Sequence, residues 1–104
     1  MKVVFREEFK RTDYASDGAS VPGRMEAIMT ALVGEGHYEV VSPGPASFKD
    51  LSQAHSQTHL ANVAKDTKLF KMASLAAGGA ILASEIAFKG EPAFACIRPP
   101  GHHA

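Results

Sequence analysis

Cysteine is nearly absent from this sequence: Cys96 is the only one in 104 residues. A disulfide framework within the chain is therefore excluded, and the composition fits a reducing compartment. Excess charge of either sign is absent too, because eleven lysines and arginines face eleven aspartates and glutamates. That balance excludes a basic nucleic-acid arm and a polybasic membrane segment. No uninterrupted apolar run is long enough to cross a bilayer; the richest, residues 72–88, is broken by Ser74, Ser84, Glu85 and two glycines. Arg6, Glu7 and Glu8 close the short apolar stretch at the N-terminus, so no signal peptide is read there. Internal repeats and low-complexity linkers are also lacking. What remains is a chain 45% hydrophobic and 21% charged, too apolar for a disordered tail and long enough for one domain with a modest core. A soluble cytoplasmic protein is the expectation.

The apolar residues it does have follow a clear order. Lys2-Val3-Val4-Phe5-Arg6 is β-branched and aromatic, and reads as a strand. Residues 7–21 carry Asp13, Ser16, Asp17, Gly18 and Ser20, a long polar loop. After Pro22 and Gly23, the spacing of Met25, Ile28, Met29, Leu32 and Val33 predicts one buried helical stripe, ended by Gly34 and Gly36. Tyr38-Glu39-Val40-Val41 is a second strand, closed by Ser42-Pro43-Gly44-Pro45. Ser47 and Asp50 form a capping pattern for a brief helix, and Ser56 caps the next, with Leu60, Val63 and Ala64 inward. The lysine-rich residues 65–71 read as solvated, and residues 72–88 as a helix apolar on most sides. Gly78 and Gly79 weaken that helix by roughly 1 kcal/mol each relative to alanine; close approach of a neighbouring backbone is the reason to keep them. Gly90 and Pro92 stop it, and Ala93-Phe94-Ala95-Cys96-Ile97 follows as a strand apolar at every position, suited to cover on both faces. The alternation of strands and helices predicts an α/β fold with a parallel sheet and right-handed crossovers.

The segment richest in chemistry is Ile97-Arg98-Pro99-Pro100-Gly101-His102-His103-Ala104. It leaves the carboxyl end of a buried parallel strand, where open α/β sheets place ligand sites. Two prolines stiffen the loop, and Gly101 permits a backbone turn that other residues resist. Two neutral imidazoles there can hold a water, ligate a metal or accept a proton near neutral pH. A solvated pair is the plain alternative, because a closed metal site needs three or four ligands and no Cys or Asp cluster accompanies them.

Read against known families, RPPGHHA after an apolar strand and a Gly-Gly helix resembles the histone deacetylase superfamily, which includes acetoin-utilisation proteins and acetylpolyamine amidohydrolases. MKVVF resembles its first strand, and VPGRMEAIMTAL the Pro-x-Arg start of its first long helix. VVSPGPASFKDLSQAHSQTHLANV is similar to its second strand and "His-Ser-x-x-Tyr-Leu" helix, with His59 where tyrosine is more usual. The resemblance covers essentially the whole chain, residues 1–104, as a partial deacetylase-like domain.

This resemblance implies a three-layer α/β/α architecture with strand order 2-1-3, an N-terminal portion of the arginase/deacetylase-like fold. It implies that His102 and His103 are catalytic, His103 as the general base and His102 as its electrostatic or acid partner. Both would contact a zinc-bound water and the substrate carbonyl. Arg24 matches an arginine near the inner end of the family's acetate channel, and Gly101 matches the motif's glycine; both are substrate-site assignments. The family's zinc ligands, two aspartates and a histidine, lie beyond its paired histidines, as does its oxyanion tyrosine. No metal ligand and no bound zinc is therefore expected in these 104 residues alone, which are expected to be inactive and a fragment of a longer hydrolase. The loop Tyr14–Ser20 also lacks the histidine many members carry there.

The remaining residues carry plainer expectations. His55 reads as a packed or capping histidine, His37 as solvated, and His59 as a helix residue with no ligand partner at i+4. Cys96 reads as a small buried hydrophobe. An open apolar edge on the third strand predicts a homo-oligomer. Neither nucleic acid nor membrane is an expected partner, and a small acetyl-amide is the substrate only of a longer form. The competing reading is a stand-alone, non-catalytic α/β interaction module; a third is a second polypeptide that supplies the metal ligands.

Overall fold

The computed structural model describes residues 1–14 and 21–101. Within them the order is β1 (Lys2–Val4), a 3-10 turn (Glu7–Lys10), α1 (Arg24–Glu35), β2 (Glu39–Val41), α2 (Phe48–Ser52), α3 (Gln57–Ala64), α4 (Thr67–Phe88) and β3 (Ala93–Ala95). The strands form a parallel sheet ordered β2-β1-β3. Val3 pairs with Val40 and Phe94, and Val4 pairs with Val41 and Ala95. The fold is α/β with the strand order expected.

Strand alternation sends Val3 and Val4 to opposite faces, and both are fully buried. The Val4 face carries α4, whose Gly79 leaves room for a Cβ only 3.6 Å from Val4 Cγ1. The Val3 side belongs to a core that includes Phe5, Phe9, Met25 and Met29. Helices thus lie on both sides of β1. The strand buried on both faces is β1, and not the all-apolar β3: Phe94 is 42% exposed. Central position in the sheet, rather than apolar content, decides which strand is covered.

The glycine pair in α4 marks a close approach. A Cβ on Gly78 would stand 1.9 Å from the carbonyl oxygen of Gly44, and one on Gly79 would stand 2.6 Å from Ile97 Cγ2. The chain after β2 therefore crosses α4 at backbone contact, and the Ala46 N–H donates to the Ser74 carbonyl at 2.8 Å.

Several boundaries differ from expectation. Residues 7–10 form a 3-10 turn that buries Phe9 completely, so the polar loop begins later. One apolar side chain among charged neighbours gives no periodic signal. Helix α1 runs through Gly34 and ends at Gly36, whose φ is 72°. Val33 is 66% exposed, narrowing the stripe to Met25 and Met29 with Ile28 and Leu32 at its margin. Helix α4 starts at Thr67 because the Asp66 side chain accepts the Leu69 N–H at 3.1 Å, drawing part of the lysine-rich segment into the helix.

At 22 residues, α4 is long and apolar enough to cross a membrane by length and composition. Its apolar character is interrupted by Lys68, Lys71 and Glu85. Serines and glycines leave a helix's own hydrogen bonds intact and do not shorten it. Its Met72, Leu75, Ala76, Gly78 and Gly79 are nonetheless buried in this fold, while Phe88 at its far end is 96% exposed.

Candidate functional site

The carboxyl end of β3 continues through Cys96 and Ile97 into Arg98-Pro99-Pro100-Gly101. Beside it lies a cleft of about 390 Å³, lined by Arg24, Met25 and Ile28 of α1, Phe94 of β3, and Arg98 and Pro100 after it. The start of α1 and the exit from β3 therefore meet at one apolar hollow with two guanidinium-bearing residues on its walls.

Arg98 organises this corner. It is 1% exposed, and it donates from Nη1 to the Val21 carbonyl at 3.0 Å and from Nη2 to the Lys10 and Arg11 carbonyls at 2.9 Å each. These oxygens bracket the long loop on both sides, so one side chain joins residues 10–11, residue 21 and the exit from β3. Its Nε has no partner among the described residues, and neither does the buried Tyr14 hydroxyl. Backbone carbonyls with charge-assisted bonds compensate the buried cation where a carboxylate would usually do so.

Nothing in the spacing of the Arg98-Pro99-Pro100-Gly101 segment marks Arg98 for this role. The available signal was a charge at the end of a continuously apolar strand, where burial demands a dedicated set of acceptors.

Arg24 is exposed and lines the cleft with Arg98 and Pro100. Gly101 is exposed with φ 65°, the left-handed region that a side chain resists; it is not part of the cleft wall. His102 and His103 lie outside the described residues, as does most of the loop Tyr14–Ser20. Burial pushes the Cys96 thiol up against the opposing pull of Arg98, which suits a packed thiol and not a nucleophile. Among the described residues no group of three or more His, Cys, Asp or Glu side chains stands together.

One other histidine departs from expectation: His55 is exposed rather than packed, and its ring centroid lies 4.9 Å from that of His59, four residues later. His59 is an exposed residue of α3 with Val63, not a ligand, at i+4, as read. His37 is exposed, as read.

No family model matches the chain. A protein of Archaeoglobus fulgidus named probable deacetylase is 31% identical over 123 aligned residues, covering 98% of this chain and 34% of its own length. A second probable deacetylase, from Methanothermobacter thermautotrophicus, is 35% identical over 98 residues, covering 79% of this chain and 30% of its own. The likeness is to deacetylases. This chain spans about a third of the length of these curated relatives, so it compares with a part of such a protein.

Proposed function

We propose that the chain is the first part of a zinc-dependent amidohydrolase of the histone deacetylase superfamily, which removes acetyl groups from acetyl-lysine or acetylpolyamine-like amides. The observation that carries this reading is the pair of probable deacetylases aligned with 98% and 79% of the chain. The RPPGHHA motif supports it from the sequence side.

In this reading His103 is the general base that takes a proton from the attacking water, with His102 beside it as acid or electrostatic partner. Arg24, on the wall of the cleft, pairs with the carboxylate of the released acetate through a charge-assisted, bidentate contact. Gly101 supplies the turn that delivers the histidines. Met25, Ile28 and Phe94 give the cleft its apolar walls.

Zinc is the cofactor this reading implies. The described residues contain no set of three or more ligands, so they do not by themselves hold the catalytic zinc, which needs three protein ligands. Its ligands, with the oxyanion donor, belong to the remainder of the longer protein.

The test is to read the gene past codon 104 and assay the resulting protein for acetate release from an acetyl-lysine peptide and an acetylated diamine. The expected result is an Asp-x-His segment downstream and zinc-dependent release that falls about a hundredfold or more in His103→Ala. A longer protein without that segment and without release sinks the proposal.

A second reading rests on the sheet edge. Phe94 is 42% exposed on β3, the terminal strand of the β2-β1-β3 sheet. We propose that the 104-residue chain by itself is inactive and associates with copies of itself through this edge, as an unpaired apolar strand does.

A further inference from the structure

We propose that His55 and His59 form a binding site for one divalent transition-metal ion, built from residues that take no part in the cleft beside β3. His55 immediately precedes Ser56, the N-cap of α3, and the Ser56 hydroxyl accepts the His59 N–H at 3.1 Å. The cap thereby fixes the backbone of His59 one helical turn along from His55. Both residues are exposed, and their ring centroids stand 4.9 Å apart with planes inclined at 36°.

That separation is what joint coordination requires. An ion about 2.0–2.1 Å from one nitrogen of each ring, at an angle near tetrahedral, sets two imidazole centroids about 5 Å apart. Imidazole suits zinc, copper and nickel in preference to calcium or magnesium, which take oxygen ligands. Among the described residues no third His, Cys, Asp or Glu completes the set. The site is therefore a two-histidine chelate with waters in its remaining positions.

The surroundings add to this. The pair borders a hollow of about 160 Å³ with Leu51, Leu60 and Phe70 on its wall. An apolar surface on one side limits solvent access and strengthens binding at the ion.

The experiment is a Zn(II) titration of the purified 104-residue chain at neutral pH, following the imidazole ring signals of all five histidines by NMR. His55 and His59 are expected to shift together and saturate at one ion, separately from any response of His102 and His103. In His59→Ala the His55 response weakens about tenfold or more, while unchanged thermal unfolding shows that the exposed substitution leaves the fold intact. His55→Ala does the same to His59. Unmoved rings, or a His55 response that persists in the His59 variant, overturns the site.

Discussion

The Arg98 guanidinium donates to the Val21 carbonyl at 3.0 Å, linking positions 77 residues apart. With the Lys10 and Arg11 carbonyls as its other acceptors, it ties the β3 exit to both ends of the loop before α1.

Arg98→Met is expected to cost about 2–4 kcal/mol, because three carbonyls lose their charged donors together. Urea denaturation checks it. Arg98→Lys should recover only part of the loss, since an ammonium cannot span the same acceptors. A variant as stable as the parent contradicts the clamp.

Two glycines of the helices should respond in opposite directions. Gly78→Ala drives a methyl to 1.9 Å from the Gly44 carbonyl and should destabilise by about 2 kcal/mol or more, because backbone must move. Gly34 lies within α1 and its Cβ would meet nothing within 4 Å. Gly34→Ala should stabilise by about 0.5–1 kcal/mol. Thermal melts of the two variants, compared side by side, decide this.

Asp13 sets a small acid dependence. The Arg11 guanidinium, joined by Lys68, lowers its carboxyl to about 2. A pKa depressed in the folded state gives stability that is present above the unfolded value near 4 and lost as pH falls toward 2. The parent should lose more stability than Asp13→Asn across that window, by a small margin because the ions are exposed. Urea midpoints from pH 5 to pH 2 provide the comparison, and parallel curves refute it.

Association through the β3 edge is testable with Phe94→Lys. A charge on that exposed apolar position should shift sedimentation toward the monomer while the secondary structure stays intact. A parent chain that remains monomeric at high concentration rules the interface out.

Much of the fold was legible because its signals are local. The Ser47–Asp50 capping box forms, with the Ser47 hydroxyl accepting the Asp50 N–H at 3.1 Å. Ser56 caps α3 as read. Gly78 and Gly79 meet a neighbouring backbone and the Ile97 side chain, as their cost within a helix implied. Phe9 escaped because a single buried aromatic has no period, and α4 was started late because an aspartate cap was read as part of a solvated run.

The cleft was legible only in part. Its position at the strand's carboxyl end follows from topology, and Arg24 does line it. The role of Arg98 was not legible, because its acceptors lie far away in sequence and are backbone atoms, identical at every residue.

By itself the sequence determined the α/β alternation, the caps, the glycine pair and the single cysteine's harmless burial, since each depends on residue type and short spacing. Tertiary structure alone decided which strand is covered on both faces and which loop the buried guanidinium clamps. Those outcomes depend on which distant atoms share one place, and composition does not encode that. The scarcity of cysteine excluded covalent bracing; a buried arginine on three carbonyls braces the corner in its stead.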